Sequence, residues 1–446
     1  MSSMNPSIGL TQQDYDNSET LAYADTDEDV TPGEIAVGVI IGRSSEYFDF
    51  FVFGIACVLV FPSLLFPDLS KLDGTLAAFA IFSLAFVARP IGTALSMAVQ
   101  RRWGRATKLT LALLLLGVCT VGMTFLPSYE VAGMKAIWAL VILRVGQGLA
   151  LGGSWDGLPS LLAMSAPKDK RGWYSMIGQL GAPLGFIIAA ALFAYLYSSL
   201  SADDFLSWGW RFPFCVAFAI NVVALFARLR LVVGQSYTQA LQERELEPVS
   251  VTRLMSSEGR NVMIGAFAAL ASFALFHLVT VFPLSWISMY SNQSVTDVLV
   301  VQIIGALLAG IAIMISGWLA DRVGRRNTLG TMACLIGIFS FLAPWLLGSG
   351  TVGNNVFIIV GFVLLGLSYG QASGTVTSNF SPHFRYTGAA LSTDMAWLIG
   401  AAFAPLVALG VSAKFGLVAL GIYLLSGALC TLAALGINRA IEARDQ

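Results

Sequence analysis

Twelve apolar stretches recur along this chain, and each is long enough to cross a bilayer as an α-helix. They run at about residues 35–61, 74–99, 107–126, 136–164, 173–197, 212–233, 261–290, 295–319, 328–347, 354–377, 387–411 and 416–437. At 1.5 Å per residue, roughly 20 apolar residues cross the ~30 Å hydrocarbon core. With 57% hydrophobic and only 11% charged residues, the 446-residue chain reads as an all-α integral membrane protein, since no soluble globule of this length has that balance. Other classes fall away on the same counts. A net charge of −1 argues against a nucleic-acid partner. The five cysteines are far apart and form no disulfide or metal spacing, and two histidines cannot build a multi-histidine metal or haem site. No catalytic constellation is present, so neither an enzyme nor a bound cofactor is expected.

Residues 1–32 carry seven acids (Asp14, Asp16, Glu19, Asp25, Asp27, Glu28 and Asp29) and no Lys or Arg, which reads as a disordered acidic tail and not a signal peptide. Beyond it, Lys and Arg concentrate in the 2–3, 4–5, 6–7 and 8–9 segments, with Arg228 and Arg230 counted into the 6–7 segment. Only Lys71, Lys135, Arg211 and Lys414 fall on the opposite face. By the positive-inside rule both ends are then cytoplasmic. The polar stretch 234–260 divides the spans into halves at 33–233 and 261–438, with a short tail at 439–446. The halves echo each other. Arg101-Arg102-Trp103-Gly104-Arg105 follows span two, and Asp321-Arg322-Val323-Gly324-Arg325-Arg326 follows span eight. Likewise Arg171-Gly172 opens span five and Arg385-Tyr386-Thr387-Gly388 opens span eleven. A six-helix internal repeat implies two bundles that rock about a site between them near the midplane.

Span one carries the unusual chemistry. Arg43, Glu46 and Asp49 lie on one stripe of an otherwise aromatic helix. A charge at the bilayer centre costs about 3 kcal/mol on insertion scales, so such residues are either paired for packing or line a polar path. Arg43 and Glu46, at i and i+3, read either as an ion pair that fixes packing or as site residues, Arg43 a candidate for binding substrate and Glu46 a candidate for proton coupling. Asp49 lies nearly two turns from Arg43 with less cationic help, and a carboxyl so placed is a candidate proton carrier. Arg89 in span two reads either as a bidentate anchor for a substrate carboxylate or as the partner of a nearby acid.

On these residues the chain resembles the major facilitator superfamily. Gly317-Trp318-Leu319-Ala320-Asp321-Arg322-Val323-Gly324-Arg325-Arg326 is similar to that superfamily's loop motif. Five further stretches resemble its metabolite:proton symporter branch, which holds α-ketoglutarate, citrate, shikimate and proline/betaine permeases. These are Glu46–Phe50, Phe86–Gly92, Arg144–Gly148 with Gly152–Trp155, Trp208–Pro213 and Arg385–Gly388. The resemblance implies two pseudo-symmetric six-helix bundles in a bacterial inner membrane, working as a monomer on a small molecule with protons as the coupling ion. Several positions depart from the family pattern. Gln100-Arg101 stands where Gly-Asp is expected, Ser154 replaces a Glu, and Asp156 carries a carboxylate two residues on. Asn379 replaces an acid, Asp394 an Asn, and Arg43 a small polar residue.

The remaining motifs divide by chemistry. Asp321 near a helix terminus, with Arg322, Gly324 and Arg325 beside it, reads as a latch on the cytoplasmic face. Its first-half counterpart around Gly104 has no acid and reads as topology alone. Arg144 shares a glycine face with Gly148 and is assigned to packing, and Asp156 to an arginine partner. Gly366, Gly370 and Gly374 form a packing stripe. Asp394, mid-depth in span eleven with no cation in sight, is a second candidate proton site. His277 shares a face of span seven with Thr280 and reads first as a hydrogen-bonded structural residue, second as a substrate contact. Gln179, in the glycine-rich opening of span five, is a further substrate candidate, and that run lacks the Gly-Pro pair of drug exporters. Together these point to proton-coupled import of a small organic anion by alternating access. Two other readings remain: a zwitterion or osmolyte whose quaternary ammonium sits on rings such as Tyr47, and a transporter-shaped nutrient sensor.

Overall fold

The computed structural model of the chain describes residues 32–155, 157, 162, 166–233, 247–372 and 380–442. The acidic tail, Asp156, Gly374 and Asn379 lie outside these residues. All regular structure within them is helical. The first half contains α1 (Pro32–Leu59), α2 (Lys71–Thr124), α3 (Met134–Gly153), the short α4 (Arg171–Met176), α5 (Gly181–Ser199) and α6 (Phe212–Val233). The second contains α7 (Val251–Ala268), α8 (Leu270–Thr280), α9 (Phe282–Tyr290), α10 (Val295–Val323) and α11 (Arg325–Gly348). It continues with α12 (Gly350–Tyr369), α13 (Arg385–Ala396), α14 (Ala404–Phe415) and α15 (Leu417–Glu442).

Among the described residues, ten helical stretches are long and apolar enough to cross a membrane. One of them is α2, whose 54 residues would make a rod of about 80 Å, far more than one bilayer. Gly104 breaks it at φ 86°, a left-handed conformation that glycine adopts without a Cβ penalty. Gly324 does the same at φ 87° between α10 and α11, so the two loop motifs turn the chain in the same way. The 28-residue α1 is as long as a span and carries Arg43, Glu46 and Asp49 within it. Apolar side chains lie on the outside as well as in the core. Ile338, Phe341, Leu342 and Trp345 are exposed along α11, as are Leu111, Leu114 and Val118 along α2. A chain whose outer surface is this apolar is built for a hydrocarbon solvent.

Helices close on one another through missing side chains. A Cβ added at Gly148 or Gly152 would strike the Ala85 or Arg89 carbonyl oxygen, so α3 and α2 meet backbone to backbone. Gly181 and Gly185 bring α5 equally close to α1 at Arg43 and Phe48. Between the halves, α10 packs on α4 and α5, while α13 and α14 pack on α2. Two helices expected to be continuous are interrupted where they face this seam. Span seven is divided at Ala269 and again at Val281, just before Pro283. Span eleven passes through a π-helical turn, Trp397–Ala401, a distortion that recurs at functional sites. Span four also differs from expectation, since its helix ends at Gly153 and not near residue 164. The expected 234–260 linker is helical from Val251, where buried Leu254 packs among Val262, Phe380 and Leu391.

Candidate functional site

The close packing of α1, α2 and α3 forces their charges into one buried chamber. Gly38, Gly42, Arg43, Glu46, Arg89, Ser154, Trp155, Arg228 and Asp394 line it. Glu46 is its hub. One carboxylate oxygen meets Arg43 Nη1 at 3.0 Å, and the other meets Arg228 Nη1 at 2.9 Å and accepts from Ser154 Oγ at 2.8 Å. The Arg43–Glu46 pair is the one the i,i+3 spacing implies. Arg228 corrects the sequence reading: it is no loop residue but lies on α6 with 4% of its side chain exposed, donating also to the Ser154 carbonyl. The serine that replaces the family's Glu therefore serves as a scaffold for both charges.

Across the seam, Arg89 Nε meets Asp394 Oδ1 at 2.6 Å, and Thr93 Oγ1 donates to Asp394 Oδ2. This settles two points left open by the sequence. Arg89 takes the ion-pair option in this state, and Asp394 is no solitary carboxyl. The pair joins α2 of the first half to α13 of the second. These groups leave ≈ 10 Å³ of free space between them, room for about one water.

Asp49 faces away from this chamber into a different network. It is 2% exposed. Thr120 Oγ1 donates to its Oδ1 at 2.9 Å, and Gln147 Nε2 lies 3.1 Å from Oδ2 and 3.3 Å from Oδ1. Gln147 in turn accepts from Arg144 Nη1 at 3.0 Å. The nearest cation thus reaches Asp49 through a neutral amide. Gln147 Nε2 also lies 3.0 Å from Thr120 Oγ1, which can accept as well as donate. A protonated Asp49 can therefore turn its O–H toward Thr120 and keep its amide donor, so the network suits either protonation state. Arg144 is more than the packing residue its glycine face implies. It lies over the rings of Phe53 and Phe82, 4.0 and 4.9 Å from their centroids, and donates to the Phe82 carbonyl.

Between chamber and seam stands an aromatic cluster from both halves. Trp397, presented by the π-helical turn, stacks on Phe86 at 5.7 Å and packs against Phe50, Phe273 and Phe276. The Arg89 guanidinium is 6.0 Å from its ring. Tyr47 packs beside Phe276 and Trp397, and its hydroxyl meets that of Tyr369 across the seam. His277 is wholly buried in this cluster, stacked on Phe50 at 5.0 Å, with Nδ1 3.4 Å from Thr280 Oγ1. Its Nε2 has no hydrogen-bond partner among the described residues. Gln179 is buried on the 3₁₀ turn Ile177–Leu180 ahead of α5.

One face of the molecule is locked twice. Asp321 Oδ1 accepts from the Gly172 N–H at 2.5 Å and Oδ2 from the Trp173 N–H at 3.0 Å. A second-half carboxylate thus caps a first-half helix start, where the peptide dipoles favour it. Arg325 adds bonds to the Arg171 carbonyl and Ser175 Oγ at 3.0 and 2.7 Å, while Arg322 is exposed and lies over Trp318. The first-half loop corrects the topology-only reading. Gln100 Oε1 accepts from the Tyr386 hydroxyl at 3.1 Å, and the buried Lys108 donates to that hydroxyl at 3.2 Å and to the Trp155 carbonyl. On the other face, a cleft of ≈ 630 Å³ opens between Phe66, Lys71 and Phe205 of the first half and Ser288 and Val295 of the second.

Sequence reasoning missed Arg228, Lys108, Thr120 and Gln147. Only Arg228 left a signal: Leu229, Leu231, Val232 and Val233 follow it, so the apolar stretch had not yet ended.

Two sets of helices meeting on a seam of paired charges and rings, tied shut at one face and open at the other, have the form of a membrane transporter. Residues 41–405 match the Major Facilitator Superfamily, and the chain belongs to it. It is 34% identical over 438 residues to the inner membrane metabolite transport protein YhjE of Escherichia coli strain K12, covering 96% of this chain and 99% of the relative. It is 30% identical over 409 residues to the shikimate transporter of the same organism, covering 88% and 91%. Among solved structures, the proton:xylose symporter XylE of E. coli superposes with a TM-score of 0.68 at 17% identity, over 91% of this chain and 94% of that one. That likeness speaks to the fold alone.

Proposed function

We propose that this chain is a proton-coupled symporter of a small organic anion, working by alternating access in a bacterial inner membrane. Its spans would number twelve, in halves at 33–233 and 261–438, with the Gly104 break dividing two of them and both ends cytoplasmic. The observation that carries the reading is the chamber: Arg43, Arg89 and Arg228 against Glu46 and Asp394, buried where a charge must find a counter-charge. Arg89 binds the substrate carboxylate, and Asp394 holds its place while the site is empty. Asp49 carries the proton, because its neutral donors tolerate both protonation states without leaving an ion pair broken. Tyr47, Gln179 and His277 would contact the substrate body once the seam opens. Asp321 with Arg325, and Tyr386 with Gln100 and Lys108, hold the cytoplasmic face shut in the state seen here. The working unit is a monomer, with no cofactor other than the proton.

The test is uptake into proteoliposomes under an imposed pH gradient. Accumulation should vanish when a protonophore collapses the gradient. Accumulation that survives the protonophore and follows sodium instead would sink the proton reading. The aromatic cluster around Tyr47, Phe276 and Trp397 favours a second reading, a zwitterion with a quaternary ammonium on those rings.

A further inference from the structure

Resting on the anion reading above, we propose that the substrate carries a hydroxyl group on its body, and that His277 recognises it by accepting a hydrogen bond at Nε2. The tautomer follows from the bonds around the ring. Thr280 Oγ1 has one hydrogen, and it donates this to the Phe276 carbonyl at 2.8 Å. At the 3.4 Å contact with His277 Nδ1 the hydroxyl oxygen can then only accept, which puts the imidazole N–H on Nδ1. The ring is neutral, because its neighbours are Phe50, Phe82, Phe86, Phe276 and Trp397, and an unpaired charge among them would cost far more. Nε2 therefore keeps a bare lone pair. That atom is buried and has no hydrogen-bond partner among the described residues.

A ring held here only for packing gains nothing from the second nitrogen, because an unmade bond at a buried acceptor costs stability. Its place suits a ligand instead. His277 belongs to the second half, and Phe50, Phe82 and Phe86 cover it from the first, so parting the halves uncovers Nε2. The imidazole and the Arg89 guanidinium stand against the same ring, 6.1 and 6.0 Å from the centre of Trp397. That ring is held close to α8, since a Cβ added at Gly400 in the π-helical turn would meet Phe273 Cβ at 2.7 Å. A small acid with its carboxylate on Arg89 and its body along Trp397 thus brings a donor to Nε2. A quaternary ammonium has no hydrogen to give. An N–H ammonium has one, but it adds a cation beside Arg144, whose guanidinium lies over the same Phe50 and Phe82 rings. A hydroxyl donates without adding charge.

The experiment uses the purified full-length chain in detergent at pH 7.5, where free carboxyl groups are ionised. Thermal stability is followed against matched acids with and without a hydroxyl: lactate and propionate, mandelate and phenylacetate, para-hydroxybenzoate and benzoate. Glycine betaine and proline supply the zwitterions. A bound ligand raises the midpoint in proportion to RT ln(1 + [L]/Kd). In at least one pair the hydroxy acid should bind roughly tenfold tighter than its partner, as one restored hydrogen bond implies. His277→Phe, which keeps a ring and removes the acceptor, should level that pair. His277→Gln, which returns a carbonyl acceptor, should restore part of the difference. Equal binding within every pair overturns the hydroxyl proposal and leaves the anion reading standing. Proline bound more tightly than any hydroxy acid overturns it in favour of an ammonium donor. A response to betaine alone, or to no acid at all, overturns the anion reading and this proposal with it. A difference that persists undiminished in His277→Phe removes His277 from the role. Should His277→Phe fail to fold, His277→Gln decides, and loss of the difference there counts against the proposal.

Discussion

Replacing Asp49 by Asn should uncouple this protein without unfolding it. The two side chains have the same shape, but Asn brings an NH₂ where a carboxylate oxygen was. Gln147 Nε2 now lies 3.1 Å from one oxygen and 3.3 Å from the other. Asn can turn its NH₂ toward Thr120 Oγ1, which accepts, and keep its carbonyl for Gln147 Nε2, as the protonated carboxyl does, so the bond from Arg144 Nη1 survives. The loss is the extra strength that a charged acceptor gives these bonds, about 1 kcal/mol each, which most folds survive. The functional effect is larger. One pH unit is worth 1.36 kcal/mol per proton, so one coupled proton supports about tenfold accumulation of substrate. Asp49→Asn should bring this to no accumulation, while exchange of labelled for unlabelled substrate across the membrane remains measurable. Proteoliposomes with a one-unit pH gradient, assayed for net uptake and for exchange, separate the two activities. Should Asp49→Asn still accumulate substrate while Asp394→Asn does not, the coupling proton belongs on Asp394 and the argument from neutral donors fails.

Other substitutions test the charge chamber and the latch. Glu46→Gln removes the negative charge that Arg43 and Arg228 both hold, and breaking a buried pair from one side costs about 3–5 kcal/mol. Its thermal midpoint in detergent should fall well below that of Asp49→Asn, and a midpoint equal to wild type would refute the hub role. Asp321→Asn leaves only one acceptor for the Gly172 and Trp173 amides. It should speed hydrogen exchange in Arg171–Met176 roughly 5- to 30-fold, as expected for about 1–2 kcal/mol. Unchanged exchange there would mean the carboxylate does not hold the latch.

Much of this molecule could be read directly from the chain. The apolar stretches dictate helices because lipid offers backbone groups no other partner. The two glycine-centred loops expose the repeat. The Arg43–Glu46 pair follows from i,i+3 geometry, and the separate fate of Asp49 from its distance to Arg43. What the chain could not show was every contact made across long separations. Arg89 and Asp394 are 305 residues apart and Glu46 and Arg228 are 182. Their pairing depends on how closely helices approach at Gly148 and Gly152 and at Gly42. Hydropathy marks which residues sit in the membrane, but each helix has several faces, and only packing decides which face meets which neighbour. For the same reason Lys108 and Gln100 read as ordinary loop residues until the fold laid Tyr386 between them. Composition and periodicity set the solvent and the helices. Tertiary structure chose the partners of the charges, because a buried charge takes its meaning from whatever lies within a few ångströms of it.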